Sequence, residues 1–339
     1  MTRQTRRGFF MGTAGAAAGL ASIGAIASRA NAQAQFAYKY ASNVDVSHPL
    51  NVRMTEMWNA IKRETGGRLD VQIFPNNQLG GDTQMLAQLR SGAIQFFTLD
   101  GGILQSVVPV AAIQAVGFAF KNSADAFHAF DGPLGDYVRK EIKSRGIWVF
   151  DRMWDNGMRD ITSSKGPIRS ADDLANFKIR TPPGKLWVDL FKAFGASPSP
   201  LNFNEVYTAL QTKIYDGQEN PPAIIQVARL FEVQKYLSIT NHMWSAWHFL
   251  ANMDAWNALP ADIKGVVERN SSKYAVLQRR DVQLLNDTLI DKLRREGMLV
   301  NSTDVTRFRS RLGGFYNEYH GVFGDTAWSL LEQTSGKLG

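Results

Sequence analysis

The chain has 339 residues, with 38 Lys or Arg against 31 Asp or Glu and no cysteine. The missing cysteines exclude disulfides, thiol nucleophiles and cysteine-based metal sites. Four of the arginines fall within residues 1–32, so the remainder would carry 34 basic against 31 acidic residues, scattered along the chain. That balance excludes a dedicated basic surface, and we expect no nucleic-acid partner.

Residues 1–32 have the pattern of an export signal. "TRRGFF" (5–10) matches a twin-arginine motif, a Gly, Ala and Ser-rich apolar run follows to residue 27, and "RANA" (29–32) supplies an A-x-A cleavage site. A membrane anchor is the alternative, but the run is too weakly apolar to hold a span. We therefore predict a cleaved twin-arginine signal peptide and a periplasmic protein.

Strand and helix patterns then alternate along the chain. In the first half we predict strands over 36–42, 68–75 and 93–100, with helices over 48–67 and 81–92, the second capped by Asp82. In the second half we predict strands over 146–154 and 177–182, followed by helices over 185–195 and 202–217. This βαβ order favours an α/β fold with parallel strands, helices on the sheet faces and two domains.

The longest predicted helix covers residues 260–295. Pro260 suits its first turn and Gly297 its stop, and about 36 residues at 1.5 Å each span roughly 54 Å. A lobe of ~150 residues is only about 30–40 Å across. We therefore expect the helix to span two lobes. A coiled coil, or a break at Ser271-Ser272, is the alternative.

Arg180, in "FKIRTPPGKLW" (177–187), ends a predicted strand beside a stiff Pro182-Pro183 turn and has no charged partner within several residues. An Arg fork binds a carboxylate in bidentate geometry. The sequence leaves two interpretations open: Arg180 binds a ligand, or it forms an internal ion pair with Glu219 or Asp216.

Two further polar residues follow strand ends in the same half. Arg159 comes just after a strand and a glycine, and Asn220 precedes Pro221, which favours an extended backbone. Arg159 has Asp160 as a possible internal partner, and Asn220 could simply form a turn.

Three blocks carry a family resemblance: "FPNNQLGGDTQMLAQLRSGAIQF" (74–96), "MRDITSSKGPIRSADDLANFKIRTP" (158–182) and "LNFNEVYTALQTKIYDGQENP" (201–221). They resemble the DctP-type solute-binding proteins of TRAP transporters. The resemblance implies a two-lobed periplasmic-binding-protein-like α/β fold with mixed sheets and a ligand cleft between the lobes. We place lobe I at 35–157 plus 246–285 and lobe II at 158–245 plus 286–339. It also implies capture of an organic acid for a sodium-driven membrane permease.

The resemblance assigns roles to individual residues. It implies that Arg180 pairs with the ligand carboxylate, that Arg159 supports it, and that Asn220 lies opposite. It places Phe203 on the cleft wall, unless that ring is ordinary core. It makes Asp100 a contact to ligand hydroxyls, unless that carboxylate caps a helix or lies on the surface.

The ligand itself stays open at this stage. Trp154 and Trp244 are candidate walls, which would favour an aromatic or apolar monocarboxylate, and His48 could touch the ligand. Asp100 in the cleft favours a hydroxylated or sugar acid instead. Gly81 and Pro183 stand where sialic-acid-binding members carry polar contacts, which disfavours that ligand.

Two rival functions remain. A periplasmic enzyme is disfavoured because no nucleophile elbow or nucleotide loop is present and His242 and His248 lie six apart, unlike metal ligands on one helix face. We expect no cofactor, no metal and no catalysis. A ligand-presenting sensor component is the second rival. The C-terminal segment from Phe323 is short for the swapped helix of dimeric relatives, so we expect a monomer.

Overall fold

The protein is described by a computed structural model that covers residues 34–339. The predicted signal peptide therefore lies outside the described residues. The strands are β1 Phe36–Ala41, β2 Leu69–Phe74, β3 Phe96–Asp100, β4 Ile147–Val149, β5 Trp154–Ser163, β6 Lys178–Thr181, β7 Ser197–Pro200, β8 Gly217–Asn220, β9 Tyr236–Asn252 and β10 Leu299–Ser302. The helices are α1 Pro49–Glu64, α2 Asp82–Ser91, α3 Gly101–Leu104, α4 Ser123–Phe130, α5 Pro133–Ser144, α6 Lys185–Ala193, α7 Val206–Gln211, α8 Pro222–Val227, α9 Met253–Ala258, α10 Ala261–Arg295, α11 Val305–Arg309 and α12 Gly313–Ser335. Short 3-10 helices cover Pro109–Ala115, Ala171–Leu174, Phe203–Glu205 and Leu230–Glu232.

The strands form one continuous mixed sheet in the order β2-β1-β3-β9-β5-β8-β6-β7, with β4 and β10 also paired to β9. The β1, β2 and β3 pairings are parallel, as the βαβαβ pattern predicts, and so are the β6 pairings with β7 and β8. Antiparallel β5 and β9 join these two parallel halves. The fold is therefore two-lobed α/β, as expected, with one shared sheet.

The predicted strand over 146–154 is wrong as a single element. Both β4 and β5 pair with β9, at Val149↔Leu250 and Trp154↔Trp247. Four residues, 150–153, thus face only two on β9, and the extra residues interrupt the ladder. The break lies at the charged pair Asp151-Arg152, which interrupts an otherwise apolar run.

The predicted long helix is confirmed as α10, an unbroken helix from Ala261 to Arg295 with Pro260 as its N-cap. Its length of 35 residues corresponds to about 52 Å. It packs against α1, which connects β1 to β2 in one half of the sheet, against α8, which follows β8 in the other half, and against β5 and β10. The helix is therefore a spine beneath the two lobes, with no break at Ser271-Ser272.

Two other expected helices differ from the structure. The helix predicted over 202–217 is reduced to α7, because Lys213 adopts a positive φ of 59° and Gly217 already begins β8. Asp82 was predicted to cap α2, but Gly81 is the N-cap and Asp82 is the first helical residue. Within residues 34–339, no helix combines the length and the apolar character needed to cross a membrane.

Candidate functional site

The polar residues at the ends of β3, β6 and β8 and in the middle of β5 converge on a cavity of about 380 Å³. Its polar lining consists of Asn43, Asp82, Asp100, Asn156, Arg159, Arg180 and Asn220, and its apolar lining of Val44, Ile103, Pro182, Trp187, Phe203, Ile224 and Trp247. Strand ends of an open α/β sheet commonly form ligand sites in this way.

Arg180 lies in this cavity on β6 and is only 1% exposed. Its Nε and Nη2 donate to the carbonyl oxygen of Leu201 at 2.9 and 2.5 Å. Within residues 34–339, no carboxylate lies at ion-pair distance from its guanidinium. Burial lowers the pKa of Arg180 to about 10, so the group stays cationic at neutral pH. The cavity thus contains a buried positive charge that makes no ion pair with a described carboxylate, although the charges of Glu219 and Asp82 act on it from a longer distance.

Arg159, in contrast, is fully engaged. Its Nε and Nη2 donate to the two carboxylate oxygens of Glu219, the second at 2.7 Å, and its Nη2 also donates to Asn220 Oδ1 at 3.1 Å. His242 Nε2 lies 3.2 Å from the same carboxylate. Burial favours protonation of Glu219, but the charges and hydrogen bonds of Arg159 and His242 together outweigh it and lower the pKa of Glu219 below its usual range.

This pairing decides between the internal ion pairs that the sequence offered, and ligand binding by Arg180 stays a prediction. Glu219 pairs with Arg159 rather than Arg180, and Asp216 pairs with Lys165 at 2.9 Å. Asp160 does not pair with Arg159.

Two carboxylates face the cavity. Asp100 Oδ1 accepts from the backbone N–H of Gly102 at 2.8 Å and Oδ2 from Ser245 Oγ at 2.6 Å, so Asp100 both caps α3 and lines the cavity. Asp82 accepts from Asn43 at 3.2 Å, and its buried Oδ1 has no partner among the described residues. Burial raises the pKa of each aspartate to about 6. Both are mostly ionised at pH 7 and can accept hydrogen bonds from hydroxyl groups.

Asp82 was not expected as a site residue. The glycine pair before it in "GGD" (80–82) is the feature of the sequence that points to this position. Gly81 has no room for a side chain, because a Cβ there would lie 2.8 Å from the Asn202 side chain. With glycine as the N-cap, the following aspartate is free to turn towards the cavity.

Aromatic side chains form part of the apolar wall. Trp187 packs so closely on two glycines that a Cβ at Gly102 or Gly184 would lie 2.2 or 2.8 Å from its ring. The Arg159 guanidinium lies 5.7 Å from the centre of the same ring. Trp187 and Trp247 were not expected here, since an apolar stripe on a helix or a long strand does not distinguish cavity wall from core.

Three expected ligand contacts lie outside this lining. Trp154 packs in the core against Phe249, and Trp244 Nε1 donates to Asp155 at 3.1 Å. His48 is the N-cap of α1, and its ring stands edge-on to Trp247 at 5.4 Å. The structure thus brings together Arg180, Arg159, Asn220, Phe203 and Asp100 from the expected set, and their contact with ligand stays a prediction. No group of three or more acidic or histidine side chains within 34–339 is placed to hold a metal ion.

A family model described as bacterial extracellular solute-binding protein, family 7, matches residues 40–321. The 2,3-diketo-L-gulonate-binding periplasmic protein YiaO of Escherichia coli is 30% identical over 297 residues, 87% of this chain and 89% of that protein.

Two solved structures share the fold at higher coverage. A TRAP periplasmic solute-binding protein of a Polaromonas species, bound to D-erythronate, is 28% identical with a TM-score of 0.85, covering 90% of this chain and 99% of that one. One from Haemophilus influenzae, with bound L-gulonate, is 26% identical with a TM-score of 0.84, covering 88% and 98%.

Proposed function

Because the chain belongs to the bacterial extracellular solute-binding proteins of family 7, we propose that it captures a hydroxylated organic acid of the sugar-acid type in the periplasm. Members of this family are binding components of TRAP transporters and not enzymes. The observation that carries the proposal is the buried Arg180, which no carboxylate of the described residues neutralises.

The charges around Arg180 favour a hydroxylated monoacid. Arg180, which lacks an ion-pair partner among the described residues, matches one ligand carboxylate. Asp82 and Asp100 offer acceptors for hydroxyl hydrogens and repel a second carboxylate. The relatives named above bind diketogulonate, erythronate and gulonate, which have this chemistry. Trp187 and Trp247 can pack against the carbon skeleton of such a ligand.

Affinity requires these groups to act together. Micromolar binding corresponds to about 8 kcal/mol, and a charge-assisted hydrogen bond contributes about 1.5–3 kcal/mol. Arg180 alone is therefore insufficient. Asn220, Asn156 and the two aspartates supply the additional polar contacts, and enclosure by the aromatic wall supplies apolar burial.

Delivery to a membrane partner completes the proposal. We infer that the loaded protein, as a monomer, passes its ligand to the permease subunits of a sodium-driven TRAP transporter. Proteoliposomes that contain the cognate permease test this step: uptake should require the protein, its acid and a sodium gradient. Uptake of the free acid without the protein would contradict it.

Ligand class is tested by thermal shift with residues 34–339 against galactonate, gulonate and erythronate, with galactitol as the neutral match and phenylacetate as the apolar acid. Binding to the folded state raises the melting temperature by mass action. We expect at least one sugar acid to raise it and galactitol to leave it unchanged. A response to phenylacetate alone would overturn the sugar-acid assignment.

The role of Arg180 is tested by Arg180→Lys. Lysine keeps the charge but loses the planar fork, so the affinity for the best acid in calorimetry should fall at least about tenfold, or ~1.4 kcal/mol. The control is Arg139→Lys, since Arg139 is similarly buried but donates to Phe130, Asp151 and Asp136 away from the cavity. The control should bind normally. Equal affinity of Arg180→Lys and wild type would make Arg180 a structural residue.

A further inference from the structure

A second and larger cavity lies behind the strand that lines the ligand site. Its volume, including the part that is open to solvent, is about 1660 Å³, and α4, β5, β9 and α10 form its walls. The strand β5 serves both cavities: Asn156 and Arg159 line the first, whereas Asp155, Met158 and Asp160 line the second. Side chains alternate across a regular strand, and the irregularity at Gly157 shifts this alternation by one residue. We call the second one the hinge cavity.

The polar wall of the hinge cavity is rich in hydrogen-bond acceptors. Asp160 is 2% exposed, and its Oδ1 accepts from the backbone N–H groups of Thr240 and Asn241 at 2.8 and 3.0 Å. Its Oδ2 accepts no hydrogen bond from the described residues. Across the cavity, the buried Oδ1 of Asn286 likewise has no partner among them.

Two arginines also border this cavity, but neither satisfies those acceptors. Arg279 is bound by both carboxylate oxygens of Asp131, at 2.6 and 3.0 Å, and lies flat over the Phe127 ring at 3.8 Å. Arg280 is exposed at the rim. The deep wall therefore carries acceptor oxygens without matching donors among the described residues. Asp155, and Asp160 when it is ionised, add negative charge to the same wall.

The rest of the wall is apolar. Phe127, Met158, Ile239 and Ile290 are each only half-buried and present carbon surface to the same space. A partner for this wall needs N–H donors, a positive charge and an apolar body. We propose that the hinge cavity is a second binding site, which takes an organic ammonium ion with an apolar body.

The shared strand couples the two sites. The ligand cavity is closed in this structure, with Arg180 and Arg159 at 1% and 3% exposure, while the hinge cavity is roomy. Because β5 lies between the two cavities, we expect a rotation of the lobes about β5 and β9 that opens the first to narrow the second. An ammonium ion in the hinge cavity therefore favours the closed state and strengthens acid binding, and the effect is reciprocal. This coupling rests on the proposed function, whereas the ammonium site does not.

Calorimetry with cyclohexylmethylammonium, without any acid, tests the site itself. We expect saturable one-to-one binding to residues 34–339 and at least tenfold weaker binding of cyclohexylmethanol, the neutral match. Ile239→Trp, which projects a bulky indole into the cavity, should abolish binding, and Asn286→Leu, which removes one acceptor, should weaken it several-fold. Arg139→Lys should bind the ammonium ion normally, because Arg139 lines neither cavity.

Several results would overturn the site. These are no saturable binding, equal binding of the alcohol, or equal binding by both folded cavity variants; circular dichroism establishes their folding. Coupling is measured separately, as the acid affinity with and without saturating cyclohexylmethylammonium. An increase of at least about threefold is expected in wild type and none in Ile239→Trp. An unchanged or weakened acid affinity refutes the coupling while leaving the ammonium site to its own test.

Discussion

At the scale of residues, two buried arginines lie near one internal acid, Glu219. The site is defined by which of the two arginines forms an ion pair with it. Glu219 follows Gln218 on β8, which pairs with β5 on one side and β6 on the other. Glu219 binds Arg159 of β5, which leaves Arg180 of β6 for a ligand. The sequence identifies all three residues but not this choice, because strand register depends on pairing between distant segments.

Removal of the shared acid tests this arrangement. Glu219→Gln leaves Arg159 as a buried charge without its counter-ion, so the free energy of unfolding should fall by about 3 kcal/mol or more. Urea denaturation measures the loss. Glu232→Gln, which removes an exposed ion pair to Arg229, should leave stability nearly unchanged. Similar small losses in both variants would show that the buried pair is not structurally important.

Asp160 gives stability a specific pH dependence. Burial raises the pKa of Asp160 to about 7, so folding favours its protonated form. Its stabilising contribution is present below pH 4 and is lost as the pH rises through about 7. Asp160→Asn lacks this loss. Between pH 5 and pH 8, the free energy of unfolding from urea denaturation should therefore fall by at least ~1.4 kcal/mol more in wild type than in the variant, which corresponds to one pKa unit. Parallel pH profiles would contradict the raised pKa.

At the scale of elements, the sequence predicts helices and strands that a local hydrophobic pattern defines. It fails for strands whose limits depend on pairing with distant segments. The long helix α10 is readable because 35 residues lack any interior proline and have a clear start and stop. The 17-residue strand β9 was missed because it is buried nearly throughout and shows no alternation. The irregular joints of β5 with β9, at Asp155/Gly157 and Arg159/Ile161, could not be predicted for the same reason.

Gly157 marks the first of these joints, with a φ of 110° that L-residues rarely adopt. A Cβ there would also lie 3.1 Å from Asn286 Nδ2. Gly157→Ala should therefore lower stability by about 1–3 kcal/mol in urea denaturation. Gly265→Ala, in open space within α10, should raise it by up to ~1 kcal/mol. If Gly157→Ala is as stable as wild type, the backbone at this joint accepts a side chain without strain, which contradicts the prediction.

At the scale of the whole molecule, two parallel half-sheets are joined by antiparallel strands above one continuous helix. The alternating pattern predicted the two-lobed α/β fold, and the family resemblance predicted the site; both the fold and the family are confirmed. The lobe boundaries remain predictions. Trp187 and Trp247 could not be assigned to the wall from sequence, because only the folded sheet shows which buried aromatics adjoin a cavity.

The buried guanidinium of Arg180 should be neutralised by a bound ligand and not by the protein. A crystal structure of residues 34–339 with the best-binding sugar acid tests it most directly. We predict a ligand carboxylate oxygen at about 2.7–2.9 Å from the Arg180 guanidinium, with Glu219 still bound to Arg159 and ligand hydroxyls on Asp82 or Asp100. A carboxylate bound elsewhere, with Arg180 contacting only Leu201, would contradict the account.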